Sequence, residues 1–80
     1  MSAEAAAIAA HAGVLQSDAQ ALTACAERLH EIEARLEAGG VAPPWLREAV
    51  NAHLVACVAA AADLTAAAAH LRRYAERARS

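Results

Sequence analysis

One short segment divides this chain into two helix-forming halves of nearly equal length. Residues 3–38 contain no proline and consist mainly of strong helix formers. Gly39 and Gly40 follow, where a helix commonly ends in a left-handed residue, and Pro43 and Pro44 suit the first turn of a second helix. We therefore predict one all-α unit, an antiparallel two-helix hairpin, with a helix over 3–38, a turn over 39–43 and a helix over 44–78.

Mostly apolar residues recur at alternating spacings of three and four in both halves. The series in the first half is Ile8, His11, Leu15, Asp18, Leu22, Cys25, Leu29, Ile32 and Leu36, and in the second half Leu46, Val50, His53, Cys57, Ala60, Leu64, Ala67, Leu71 and Tyr74. Such heptad spacing is typical of coiled-coil-like packing at a shallow crossing angle. We predict that these two series form the contact between the helices.

The composition indicates that the hairpin does not act alone. Alanine occupies 27 of the 80 positions, so each buried side chain removes little apolar area from water. A monomer of this size without phenylalanine should be marginally stable. The second helix also has a face of apolar residues that a hairpin leaves uncovered, formed by Leu54, Val55, Val58, Ala59, Ala62, Ala66 and Ala69. We predict that this face pairs with itself or another helical chain, as a homo- or heterodimeric four-helix bundle.

The two cysteines are predicted to meet. If the chain folds back about residues 41–42, opposing residue numbers sum to about 82, and Cys25 then faces Cys57. Three states remain open for the pair, namely a disulfide, a reduced pair in the core, and a metal site. In the metal case His53 and His30 would complete a set of ligands for zinc or copper, without the Cys-x-x-Cys spacing of strong zinc motifs. In the other two cases no cofactor is expected.

Two surface features suggest docking sites. Four arginines lie near the end of the second helix, namely Arg72, Arg73, Arg77 and Arg79. Their positive charges either complement the dipole at the helix C-terminus or form a docking patch for an acidic partner. Trp45 directly follows the two prolines at the hairpin tip. Its side chain either packs against Leu36 and closes the end of the contact between the two helices, hereafter the seam, or serves as an exposed anchor for a partner.

Several classes of function are not expected. The net charge of −2 argues against nucleic-acid binding, and no grouping of catalytic residues stands out, so we predict a non-enzyme. The first residues have neither the basic nor the apolar region of a signal peptide, which leaves a cytoplasmic location or export without a cleavable signal. We interpret residues 54–71 as a buried helix and predict no membrane span, because Asp63 lies in the middle of this stretch.

Two alanine-rich helices joined by a short turn beside Trp45 resemble the WxG-type helical-hairpin proteins of type VII secretion. The segment LTAAAAHLRRYAERA is similar in texture to relatives of that family without the tryptophan-glycine turn. Here the turn reads Trp45-Leu46-Arg47, and Tyr74 is followed four residues later by Ala78 instead of an acidic residue. The resemblance implies a dimeric four-helix bundle that is exported folded, as a secreted factor or as the escort of a larger effector.

The expected function is therefore a non-catalytic interaction between helical chains. The alternative is a metal-binding or redox-responsive protein that uses Cys25, Cys57 and His53.

Overall fold

The computed structural model describes residues 2–79, which form two α-helices and no β-strand. Helix α1 spans Ala3–Gly39 and helix α2 spans Pro44–Arg79. The helices pack antiparallel against each other and form a rod with principal dimensions of 59, 14 and 12 Å. The prediction of an all-α helical hairpin is confirmed.

Ser2 and Gly40 cap the two ends of α1 by hydrogen bonds to the helix backbone. The Ala5 backbone N–H donates to the Ser2 hydroxyl at 3.0 Å and so satisfies one free donor at the start of α1. Gly40 has a φ of 68°, and its N–H donates to the Leu36 carbonyl at 3.4 Å, which closes α1 with a left-handed residue. Helix α1 continues without interruption through Gly13.

The contact between the helices is centred on alanines that repeat every seven residues. The buried residues of the described chain are Ala5, Ala12, Ala19 and Ala26 in α1 and Ala61, Ala68 and Ala75 in α2. The short turn and the shared spacing place Ala12 opposite Ala68, and these side chains are 0% and 1% exposed. Within residues 2–79 no side chain larger than a methyl group is buried, so the helix backbones approach each other closely.

The prediction that the two leucine-containing series form the centre of the helix–helix contact is wrong, because alanines occupy that centre. The leucines of the two series, such as Leu15 and Leu64, lie half-buried along one flank of the alanine column. Other members point to solvent, among them Ile32 at 43% exposure and Tyr74 at 50%. Larger side chains cannot occupy the centre once the backbones are this close, because only a methyl group fits between them.

The prediction that the chain contains no membrane span is contradicted. Helix α2 includes an 18-residue window with a mean hydropathy of 1.7, and by length and composition it qualifies as a membrane-spanning helix. Apolar helices in the cores of soluble proteins meet the same criteria, but such helices are mostly buried. Only 11% of this window is buried, since a single neighbouring helix covers one narrow stripe of α2. The interpretation of residues 54–71 as a buried helix is therefore wrong.

The alanine column predicts a sharp dependence of stability on side-chain size. Replacing Ala12 with leucine should separate the backbones and lower the free energy of unfolding by about 1–3 kcal/mol. Ala10 is exposed on the same helix, so Ala10→Leu is the matched control and should change stability by less than about 0.5 kcal/mol. Thermal unfolding followed by circular dichroism measures both, and equal melting temperatures for the two variants would contradict the alanine-centred seam.

Candidate functional site: an apolar groove and a thiol pair

An apolar groove of about 990 Å³ runs along one side of the hairpin between α1 and α2. Its α2 wall consists of Leu54, Val58, Ala61, Ala62, Thr65, Ala66 and Ala69, and its α1 wall of Thr23, Ala26, Glu27, His30 and Glu31. The α2 wall is therefore made of small, mostly apolar side chains, whereas the α1 wall ends in two carboxylates and an imidazole.

The two threonines do not make the groove polar. The Thr23 hydroxyl donates to the Ala19 carbonyl at 3.1 Å, and the Thr65 hydroxyl donates to the Ala61 carbonyl at 2.8 Å. Both hydroxyls are thus satisfied within their own helices. In the described part of the chain, no buried side-chain nitrogen or oxygen lacks a hydrogen-bond partner. An apolar occupant of the groove would leave neither hydroxyl without a partner.

Most of the interface residues predicted from the sequence lie in this groove. Five of them form much of its α2 wall, namely Leu54, Val58, Ala62, Ala66 and Ala69. Val55 and Ala59 are exposed but do not line the groove. The contribution of α1 was missed by the sequence reasoning, because the position of the seam on α1 decides which of its residues border the groove.

The tryptophan and the arginines lie at opposite ends of the rod. Trp45 is 68% exposed at the turn, so it does not close the seam against Leu36. The predicted docking patch of Arg72, Arg73, Arg77 and Arg79 is exposed at the other end. Part of this charge is engaged within α2, since Nη2 of Arg73 lies 2.8 Å from Nδ1 of His70.

Polar contacts join the two helices near the turn. Asn51 donates from Nδ2 to Oε2 of Glu33 at 2.9 Å, and Nη1 of Arg47 lies 3.3 Å from Oε2 of Glu37. The Arg47–Glu37 pair is largely solvated, so its contribution to stability is about 0–1 kcal/mol. Both contacts nevertheless favour one register of α2 against α1, because a shift by one residue would break them.

Cys25 and Cys57 meet across the leucine flank of the seam. Both are half-buried and neither is in a disulfide. Burial raises the pKa of the Cys57 thiol, and a hydrogen bond with Cys25 and the charge of Cys25 raise this pKa further. Neither cysteine is among the residues that line the groove.

The four residues proposed as metal ligands do not form one cluster. Among residues 2–79, no three histidine, cysteine, aspartate or glutamate side chains come together in an arrangement that suits a metal ion. His30 lines the groove, with Nδ1 3.7 Å from Oε1 of Glu33. His53 is exposed. The pair of thiols is therefore the part of the predicted cluster that the fold assembles.

Comparison of the chain with protein-family models, curated proteins and solved structures finds no match.

The thiol contact predicts a measurable pH shift in the reactivity of Cys57. Alkylation requires the thiolate, so a raised pKa should move the midpoint of the alkylation rate against pH upwards. In a Cys25→Ala variant the hydrogen bond and the neighbouring charge are removed, and the midpoint for Cys57 should fall. Iodoacetamide labelling quantified by peptide mass spectrometry measures the midpoint. The same midpoint in both proteins would show that the thiols do not interact.

Proposed function

We propose that this protein is a non-catalytic interaction module whose apolar groove is covered by a second copy of the same hairpin. The observation that carries the proposal is the mismatch between the small buried core and the large apolar surface. The core of the described chain consists of alanines, while Val58 in the groove is 53% exposed and Val55, outside the groove on the same helix, is 57% exposed. A second hairpin laid along the groove would complete a four-helix bundle.

The exposed area is of the size that such an interface requires. The hairpin exposes 5515 Å², whereas a compact monomer of this mass exposes about 4,500 Å². The excess of about 1,000 Å² exceeds the roughly 800 Å² that each partner buries in a standard interface. Part of this excess follows from the elongated shape alone, and pairing two rods side by side is the arrangement that removes it.

Charge complementarity favours a second copy as the occupant. A two-fold axis near Ala62, in the middle of the α2 wall, would run the two copies of α2 antiparallel. Arg72 of each copy would then lie level with Glu27 and Glu31 on the α1 wall of the other copy. Each acidic groove rim would thus receive a cation from the partner, and the like charges of the two rims would lie apart.

The type VII secretion hypothesis is a narrower form of this proposal. A dimeric hairpin that is exported as a substrate, or that escorts a larger effector, fits the short turn and the two long helices. The exposed Trp45 at the hairpin tip is available as an anchor for a secretion partner.

A second candidate role for the same surface is contact with a lipid bilayer, and the hydropathy and exposure of α2 favour it. Flotation with phosphatidylcholine vesicles distinguishes the two. A dimer that stays out of the lipid fraction supports the paired hairpin. A chain that floats with the vesicles and forms no dimer in their absence assigns the α2 surface to lipid instead.

The paired-hairpin proposal predicts that a charge in the groove prevents association. Ala62→Glu would bury a carboxylate without a partner in the centre of the interface and should raise the dimer dissociation constant at least about 100-fold. Ala56 is exposed on α2 but does not line the groove, so Ala56→Glu is the matched control and should leave the dimer intact. Light scattering coupled to size-exclusion chromatography gives both masses. An Ala62→Glu protein with the wild-type mass would overturn the proposed interface.

The two-fold arrangement makes a separate prediction about charge. Arg72→Glu and Glu31→Arg should each weaken the dimer, because each places like charges next to each other across the interface. The double variant restores opposite charges and should recover most of the affinity. Sedimentation equilibrium at low ionic strength measures all four proteins. Additive losses in the double variant would exclude this pairing while leaving other dimer geometries open.

A further inference from the structure

We propose that Cys25 and Cys57 form a reversible intrachain disulfide that locks α1 against α2, whereas in the reduced chain described above packing and polar contacts alone hold the helices together. The inference does not depend on the association of two hairpins, because it concerns one chain and a contact outside the groove.

The alanine column lets the two helices that carry the cysteines approach each other closely. A disulfide requires Cα atoms closer than about 7 Å, a distance that leucine-centred helix pairs rarely allow. The Cα trace of the rod is at most 14 Å across, and since Cα atoms lie about 2.3 Å from a helix axis, the two axes are no more than about 9 Å apart. The buried Ala26 directly follows Cys25, and the buried Ala61 lies one turn after Cys57. A hydrogen bond from the neighbouring Cys25 is also one of the causes that raise the pKa of the Cys57 thiol.

The position of the pair makes a covalent link consequential. Cys25 and Cys57 lie near the middle of the rod, whereas the Asn51–Glu33 and Arg47–Glu37 contacts lie between the pair and the turn. The seam beyond the pair is centred on methyl groups, which contribute little per residue. A disulfide would therefore hold the half of the hairpin that is farthest from the covalent turn.

The chemistry needs an oxidant, for which a small-molecule disulfide of the glutathione class is sufficient. The thiolate of one cysteine attacks a sulfur of the oxidant, forming a mixed disulfide and releasing one thiolate of the small molecule. The second cysteine, as a thiolate, attacks the protein sulfur of that mixed disulfide and expels the other small thiolate. The protein loses two electrons and two protons, and the oxidant is reduced to two thiols. The reverse exchange with excess thiol reopens the pair.

The sequence and the titration of the pair affect how the lock operates. The chain contains only these two cysteines, so no third thiol within it competes for the bond. The raised pKa of Cys57 makes its thiolate scarce near neutral pH. Closure should consequently become faster as the pH rises towards the pKa of Cys57.

The test is equilibration of the full chain with mixtures of oxidised and reduced glutathione, followed by acid quenching and intact-mass analysis. The expected product is a monomeric chain two mass units lighter, without a glutathione adduct. Its melting temperature should exceed that of the reduced protein by on the order of 10 °C or more. Stable glutathione adducts, chains linked only to other chains, or an unchanged melting temperature would each overturn the proposal.

A matched control keeps two thiols but moves one of them away from the contact. In the variant Cys57→Ala with Val55→Cys the second thiol occupies an exposed position on α2. This protein should form adducts or interchain links instead of the lighter monomer, and oxidation should not raise its melting temperature. If circular dichroism shows that the control is unfolded, Cys57→Ser replaces it and should give a single glutathione adduct at Cys25. Intrachain closure in the folded control would show that the wild-type geometry is not special.

Discussion

The structure depends on the close approach of two helix backbones along a column of alanines. Ala12 and Ala68, which the short turn places opposite each other, are both almost fully buried in this column. The narrow spacing brings the two thiols together, places the leucines on a flank and leaves a groove on the other side. It also limits the area that one hairpin can bury, because small side chains remove little surface from water.

This limited burial connects the two roles considered for α2. The helix is apolar enough to cross a membrane, yet most of that apolar surface remains exposed in the hairpin. A second hairpin and a lipid bilayer would satisfy the same surface by the same hydrophobic effect. The carboxylates on the rim of the groove favour the protein partner, since Glu27 and Glu31 would lie beside cations in a paired hairpin.

The groove and the thiol pair lie on different parts of the hairpin surface. Occupancy of the groove is governed by apolar area and by the charges on its rim, whereas the state of the cysteines is governed by the redox poise and the pH. A disulfide would hold α1 and α2 together whether or not the groove is covered. The two properties can therefore vary independently, which makes the experiments on them separable.

The local sequence determined the helices and the hairpin. Gly39 and Gly40 end one helix and Pro44 begins the next, and these are backbone preferences that operate without a partner. Counting back from the turn also placed Cys25 opposite Cys57.

Only the tertiary structure decided which stripe of each helix faces the other, because that choice depends on how closely two backbones can approach. The hydrophobic spacing favoured the leucines, because each leucine side chain can bury more apolar area than an alanine. Alanines instead allow the two backbones to pack closely along the whole rod. The same choice fixed the α1 wall of the groove and left His30 away from the cysteines, which no pattern within a single helix could show.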